Sequence, residues 1–173
     1  MLRTFRQLRI TEPVADVGFR FPNVRGASLA GEALRMPLDL EGKGQVVIVS
    51  FEAWQRQLIA SWRPALERLA REHRGLAVYD VALLPEVSAF SRSFVASTLR
   101  ADRGVACDQA HTVLVHADKD ELRGRLGIED EHTIHLFLLD PAGRVCWRAA
   151  DAFDASNESG LRTAIARIVP QAH

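Results

Sequence analysis

The chain contains 173 residues, of which 22 are basic and 22 acidic, so it carries no formal net charge. This balance gives no overall attraction to nucleic acid or anionic lipid, and no apolar run reaches the roughly 20 residues of a membrane span. One domain is expected at this length. The two cysteines, Cys107 and Cys146, are too few for a secreted disulfide scaffold, so we expect free thiols and a cytoplasmic protein, or a mitochondrial matrix protein in a eukaryote.

The first part of the chain predicts a hairpin and then a buried strand. Residues 1–20 lack periodicity and are expected to form a loose lead-in. The segment 21–37, FPNVRGASLAGEALRMP, predicts a short β-hairpin, because glycines separate stretches in which apolar and polar residues alternate. Residues 45–51, QVVIVSF, form a continuous apolar run that is typical of a strand covered on both faces of a sheet.

A long helix is predicted to follow this strand, over about 53–73. Its apolar residues, from Leu58 to Ala70, recur at helical spacing along one stripe, and Gly75 marks its end. Pro64 lies inside the helix and removes one backbone hydrogen bond, at a cost of about 3 kcal/mol relative to alanine. Because the apolar stripe continues on both sides of Pro64, we expect a kink rather than a break.

The second part of the chain alternates strands with helices. The predicted order is a strand at 76–83, a helix at 86–103, a strand at 111–116, a short helix capped by Asp118, a hairpin of 133–140 with 144–148, and a helix from near Ser156 to Pro170. Strands that alternate with helices imply right-handed crossovers. The sequence therefore predicts an α/β domain with a central mixed sheet, helices on both of its faces and an N-terminal β-hairpin.

Two motifs carry a resemblance to a known superfamily. The pattern FPN…G..L.G…P, the strand VVIVSF and the following W…SW.P resemble the opening of the peroxiredoxin and thiol-disulfide oxidoreductase branch of the thioredoxin superfamily. The resemblance covers about 21–169 and implies that residues 21–173 form a thioredoxin-like domain. In that branch one or two cysteines begin the helix after the strand, whereas the matching positions here are Gln55, Arg56, Gln57, Leu58 and Ile59. The cis-proline before the strand HLFLLD is likewise replaced, by Thr133-Ile134.

A second resemblance is narrower. The segment 121–153, ELRGRLGIEDEHTIHLFLLDPAGRVCWRAADAF, together with SW.P, resembles the ATP-ten family, the assembly factors for the membrane sector of the F-type ATP synthase. Members of that family have a thioredoxin-like fold and need no redox cysteines. The resemblance implies a non-enzymatic assembly factor or chaperone that needs no cofactor. Its partner would be a membrane-sector subunit, through which the protein would associate peripherally with the membrane.

The start of the long helix is the candidate partner surface. Gln55 and Arg56 lie where the cysteines would stand, Trp54 directly precedes them, and Trp62 follows two turns later. Tryptophan and arginine are favoured as interface anchors, which indicates a protein contact. Two other interpretations stay open: Trp54 is partly buried while Gln55 and Arg56 are merely solvated, or a cleft near Trp54 binds a small molecule.

Cys146 is the candidate reactive thiol. Strand alternation places it on one face with Arg144 and Arg148, while Val145 and Trp147 point the other way. Two arginines would lower the pKa of the thiol, which predicts a single-cysteine redox protein as the alternative to a binding module. The competing interpretation is an inert cysteine on a covered strand, and Cys107 is expected to be structural.

The histidines do not predict a metal site. His132 and His135 are separated by an odd number of residues, so on a strand they point to opposite faces, and His111 and His116 have the same difficulty. Zinc ligands must converge on one point. We therefore expect no metal in this protein.

Overall fold

A computed structural model of the chain describes residues 17–84 and 108–171. The predicted helix at 86–103, Cys107 and most of the lead-in 1–20 lie outside these residues. The described elements, in chain order, are β1 (Val24–Ser28), β2 (Ala33–Met36), β3 (Gly44–Ser50), a 3-10 turn (Ala53–Gln55), α1 (Arg56–Glu72), β4 (Leu76–Leu84), β5 (Thr112–His116), α2 (Lys119–Leu126), β6 (His135–Leu139), β7 (Val145–Ala150) and α3 (Ala155–Ile168).

The seven strands form one mixed sheet in the spatial order β2-β1-β5-β4-β3-β6-β7. β3 runs parallel to β4 and antiparallel to β6, and β4 runs parallel to β5. All seven residues of β3 are buried, as the continuous apolar run predicts, because a central strand in such a sheet needs cover on both faces. The predicted central mixed sheet is confirmed.

Two buried clusters cover the two faces of the sheet. Val47 and Val49 of β3 belong to the cluster beneath α2, which contributes Leu122 and Leu126. The alternate β3 residues belong to the cluster beneath α1 and α3, which includes Val46, Ile48, Ile59, Trp62, Leu66, Leu69, Leu136, Leu138, Trp147, Leu161 and Ile165. We call these faces the α2 face and the α1–α3 face. The expectation of helices on both faces is confirmed.

α1 is one continuous helix that includes Pro64, so the helix does not break there. It lies beside α3, and ion pairs join the two helices. Arg68 of α1 pairs with Glu158 of α3, and Arg162 of α3 pairs with Glu72 of α1; within α3, Arg162 also pairs with Glu158 at 3.4 Å. The Arg162 guanidinium lowers the pKa of the Glu72 carboxyl below its usual range. These contacts hold α1 and α3 side by side.

The N-terminal hairpin is also confirmed. β1 and β2 pair antiparallel from Val24↔Met36 to Ala27↔Ala33, and β1 continues onto β5. The Asp39 carboxylate accepts the backbone N–H of Arg35 at 2.8 Å and pairs with its guanidinium at 2.9 Å. Because that N–H belongs to an edge strand, Asp39 occupies a position where another strand would otherwise pair.

The cap of α2 is the predicted one, and α3 begins at Ala155, one residue before the predicted start near Ser156. Asp118 accepts the N–H of Glu121 at 2.9 Å, which confirms the predicted cap of this helix. α3 is capped by Asp154, whose carboxylate accepts the N–H groups of Ser156 and Asn157. No helix in the described ranges is long and apolar enough to cross a membrane.

Gly26 is a close-packing position that gives a stability test. A Cβ atom there would lie 2.7 Å from Cγ1 of Val113 and 2.8 Å from the backbone oxygen of Leu114. We expect Gly26→Ala to lower the free energy of unfolding in urea by about 1–3 kcal/mol, because β1 must move away from β5. Gly124→Ala is the matched control: that glycine is in α2 with nothing within 4 Å of its Cβ position. The control should keep or gain up to about 1 kcal/mol; equal urea midpoints for the two variants would contradict the packing.

Candidate functional site

Three loops meet at the carboxyl end of β3. The register pairs Val49 of β3 with His135, the first residue of β6, and His135 with Ala150, the last residue of β7. The segments that continue from these strand ends, 51–56, 129–134 and 151–154, therefore lie side by side. We call their combined surface the three-loop surface; it is where the sequence resemblance places its missing cysteines.

The Gln55 side chain ties the first loop to the second. It is fully buried, and its Oε1 accepts the backbone N–H groups of Phe51 at 2.7 Å and Glu52 at 3.3 Å. Its Nε2 donates to the backbone oxygen of Glu131 at 2.7 Å. The expectation that Gln55 contacts a partner, or is merely solvated, is therefore wrong: its carboxamide is an internal bridge.

Trp62 ties the third loop to α1. Its indole is fully buried and donates to the backbone oxygen of Asp151 at 3.0 Å, and the N–H of Asp151 donates to Ile134 at 3.1 Å. Asp151 has φ +76°, in the left-handed region, and these bonds hold it there. The prediction that Trp62 contacts a partner is wrong, because the helical stripe turns its side chain into the core.

Trp54 and Arg56 do reach the surface. The Trp54 side chain is 52% exposed, and Arg56 is half-buried, with Nε donating to the oxygen of Ala53 at 3.1 Å. α1 has no acidic residue in its first turn and no side-chain cap. Of the four residues proposed as partner contacts, the structure leaves these two accessible, and their role stays a prediction.

Phe153 is a surface aromatic that the sequence analysis did not single out. It is 39% exposed, its N–H donates to Oγ of Ser61 at 2.9 Å, and its ring meets the Trp62 ring edge-on at 5.4 Å. The sequence does contain a signal for Phe153. An apolar residue just before a helix cap normally packs against the fourth helical residue. Here that residue is the charged Glu158, so Phe153 has to pack elsewhere.

In the second loop, Thr133 and Ile134 occupy the place where the sequence resemblance implies a cis-proline. The cis peptide bond found in the described residues is Met36-Pro37, not one at Thr133-Ile134. Thr133 is 5% exposed and its Oγ1 has no hydrogen-bond partner. His132 is exposed, whereas His135 is buried and its Nε2 lies 2.6 Å from the oxygen of Asp130. The two histidines thus have different environments.

Cys146 lies away from the three-loop surface and beside a β-bulge. Leu138 pairs with Trp147 but Leu139 pairs with Val145, so Cys146 is the extra residue. It packs with Trp147 on the α1–α3 face, while the Arg148 guanidinium lies over the Phe137 ring, a residue of the α2-face cluster. The predicted alternation is wrong here, because a bulge shifts the side-chain phase of a strand by one residue.

The environment of Cys146 disfavours the thiolate. Burial of the side chain raises the pKa of the thiol above its ordinary value, the Asp140 carboxylate adds to the rise, and a backbone hydrogen bond at Asp140 opposes it. The Sγ contacts the backbone oxygen of Arg144 at 3.6 Å. The expectation that arginines lower this pKa is therefore wrong. Cys146 is also four residues along β7 from Ala150, the strand end next to the three-loop surface, a separation of about 13 Å.

A separate groove of about 270 Å³ lies between α1 and β4. The Arg63 guanidinium crosses it to the nearly buried Asp80 carboxylate at 2.9 Å. None of the residues that line it belongs to the three-loop surface. It is therefore not the cleft near Trp54 that the sequence analysis left open.

Solved structures match this chain over most of its length, whereas no protein-family model and no curated protein matches it. A thiol:disulfide interchange protein from Bacteroides sp. aligns at a TM-score of 0.55 and 18% identity, covering 88% of this chain and 89% of its own. The thioredoxin domain of a thiol-disulfide oxidoreductase from Bacteroides vulgatus aligns at 0.53 and 18%, covering 88% and 97%. BsSco, a member of the Sco family of cytochrome c oxidase assembly proteins, aligns at 0.57 and 11%, covering 92% and 96%.

At these identities the likeness concerns the fold. The chain has a thioredoxin-like fold, which confirms the fold that the sequence resemblance implies. None of the three matched proteins is described as an ATP synthase assembly factor, so that narrower resemblance gains no support from them.

The Gln55 bridge predicts a pH-dependent loss of stability. In a Gln55→Glu variant a protonated carboxyl could still donate to Glu131, but a buried carboxylate could not. Burial raises the folded-state pKa of such a group above the unfolded value of about 4.3, so the variant is closest to wild type at low pH and loses stability as pH rises. We expect a deficit of about 2 kcal/mol at pH 8 and a smaller one at pH 5, by urea unfolding.

The matched control for this variant is Gln57→Glu, two residues further on. Gln57 is exposed in the first turn of α1, where a carboxylate interacts favourably with the helix dipole, by about 0.3–1 kcal/mol. The control should therefore be neutral or stabilising at pH 8. A Gln55→Glu deficit that does not change with pH would refute the bridge.

Cys146 provides a second pH test. We expect its alkylation by iodoacetamide, followed by mass spectrometry, to reach half its maximal rate at a higher pH than that of an unstructured cysteine peptide in the same solution. The reason is that burial and Asp140 both favour the neutral thiol. A half-maximal pH below that of the peptide would show that the thiol is activated instead.

Proposed function

We propose that this chain is a thioredoxin-like protein-binding module that does not use dithiol chemistry, and that it acts as an assembly factor or chaperone. The observation that carries the proposal is Gln55. Its buried carboxamide stands at the first position after Trp54, where the related enzymes carry a cysteine, and it bonds to Phe51, Glu52 and Glu131. A cysteine at position 55 would lack these three hydrogen bonds, and the two loops that Gln55 joins would lose their link.

The surface left by this exchange is suited to contact. Trp54 and Phe153 are exposed aromatic side chains on two of the three loops, and aromatic residues on a rigid base are typical interface anchors. Rigidity here comes from bonds between the loops, through Gln55, Trp62 and Ser61. Binding would therefore cost little ordering of the backbone.

The partner that the sequence resemblance implies is a subunit of the ATP synthase membrane sector. One matched structure, BsSco, belongs to a family of assembly proteins for another membrane complex, cytochrome c oxidase. That likeness supports the idea that this fold serves assembly. It does not identify the partner, which we propose on the sequence resemblance.

The alternative is a one-cysteine redox protein that uses Cys146. Two of the matched structures are a thiol:disulfide interchange protein and a thiol-disulfide oxidoreductase domain, which favours thiol chemistry for the fold. The raised pKa of Cys146 and its separation from the three-loop surface argue against this use. The alkylation profile described above decides between the two.

A site-specific crosslink tests the proposed function. With benzoylphenylalanine in place of Trp54, we expect irradiation of source cells to yield an adduct whose second component is an ATP synthase membrane-sector subunit. The same substitution at Leu38, which is 72% exposed in the segment after β2, is the matched control and should yield none. An adduct at 54 with a different protein would refute the partner but keep a binding surface; equal adducts at both positions would refute the surface.

A further inference from the structure

The three-loop surface is strongly acidic in a chain that is neutral overall. Its segments 51–56, 129–134 and 151–154 contain six acidic residues and one arginine, a formal net charge of −5, whereas the chain has 22 of each sign. The six acidic residues are Glu52, Glu129, Asp130, Glu131, Asp151 and Asp154. Charge is therefore segregated to the surface that carries Trp54 and Phe153.

Among the ion pairs between described residues, one of these six carboxylates, that of Glu131, pairs with cations. Glu131 pairs with Lys119 at 2.9 Å and with Arg123 at 3.2 Å. Asp130 and Asp154 accept backbone N–H groups, which leaves their charge in place. Glu129 and Asp151 are exposed on two different loops. A ligand that spans the surface would meet negative charge on more than one side.

The surface also contains a polar group that lacks a partner. Thr133 is 5% exposed, and its Oγ1 makes no hydrogen bond. The β3–β6 register, continued two residues past Val49↔His135, places Thr133 opposite Phe51 at the base of the three loops. Buried hydroxyls are normally paired, so Thr133 is an unsatisfied polar group beneath the three loops.

We propose that the three-loop surface binds a segment of its protein partner in which lysine or arginine residues lie next to apolar residues. The apolar side chains would pack on Trp54 and Phe153, and the basic side chains would face Glu129, Asp151 and their acidic neighbours. This inference rests on the proposed function and specifies the chemistry of the partner. Acidic segments, anionic membranes and nucleic acid are disfavoured, because like charges oppose each other across an interface.

The experiment uses the purified full chain and three fluorescein-labelled peptides of equal length. The first alternates lysine with leucine or phenylalanine, the second has glutamate in place of each lysine, and the third has serine in place of each apolar residue. We expect fluorescence anisotropy to show binding of the first peptide alone. Its affinity should fall when salt rises from about 0.02 to 0.2 M, because added ions screen exposed charges.

Two variants locate the binding. Trp54→Ala should weaken binding of the first peptide about tenfold or more, as loss of an aromatic anchor does. Glu129→Gln with Asp151→Asn should weaken it about three- to tenfold at low salt; asparagine suits the left-handed backbone at 151. The matched controls are Leu38→Ala, and Glu32→Gln with Glu67→Gln, which remove an exposed apolar side chain and two exposed charges elsewhere. Both controls should leave the affinity unchanged.

Several results would overturn the proposal. Equal binding of the lysine and glutamate peptides, lost in Trp54→Ala, would refute the charge preference while the protein-binding function survived. An unchanged affinity of the first peptide for the Glu129→Gln with Asp151→Asn variant would likewise refute the charge preference and leave the protein-binding function standing. Binding to vesicles of phosphatidylserine and phosphatidylcholine in preference to the peptides, or binding to none of the peptides, would also refute it. The crosslink at position 54 then decides independently whether the proposed function stands.

Discussion

The burial of β3 on both faces is the constraint on which the rest of the structure depends. No residue of this strand reaches solvent, so α2 must cover one face and α1 with α3 the other. Because β6 and β7 are antiparallel, the loop that precedes β6 and the loop that follows β7 both lie where β3 ends. The candidate site is therefore a consequence of how the central strand is covered, because the strand has to leave the core somewhere and its neighbours leave or enter the sheet at the same level.

At that point the side chain of Gln55 is a structural group. The Gln55 carboxamide accepts from two backbone N–H groups of the first loop and donates to the backbone oxygen of Glu131 in the second. It therefore acts as both donor and acceptor, whereas a thiolate can only accept. Trp62 and Ser61 make similar bonds to the loop that follows β7. Trp62 also belongs to the buried cluster of the α1–α3 face, so the loop that follows β7 is bonded directly to a core side chain.

The proposed binding surface is defined by how charged and aromatic groups are distributed over three loops. A neutral chain places five net negative charges and two exposed aromatic rings on three adjoining loops. Cys146, the one described cysteine, lies instead in a partly apolar environment beside the bulge of β7. The surface proposed to bind a basic and apolar segment and the Cys146 thiol are thus in separate parts of the fold, so a substitution at one leaves the surroundings of the other unchanged.

Within the described residues, the sequence by itself determined the order of the strands and helices, the double burial of β3, the N-terminal hairpin and the cap at Asp118, because these depend on local periodicity and local hydrogen bonds. It also determined that no cysteine stands at 55–59. Only the tertiary structure decided that Gln55 and Trp62 face inward, since their partners are the backbone atoms of Glu131 and Asp151, which are distant in sequence. The same holds for Cys146: the bulge that separates it from Arg148 arises from the pairing of β6 with β7, and strand alternation within one segment contains no information about it.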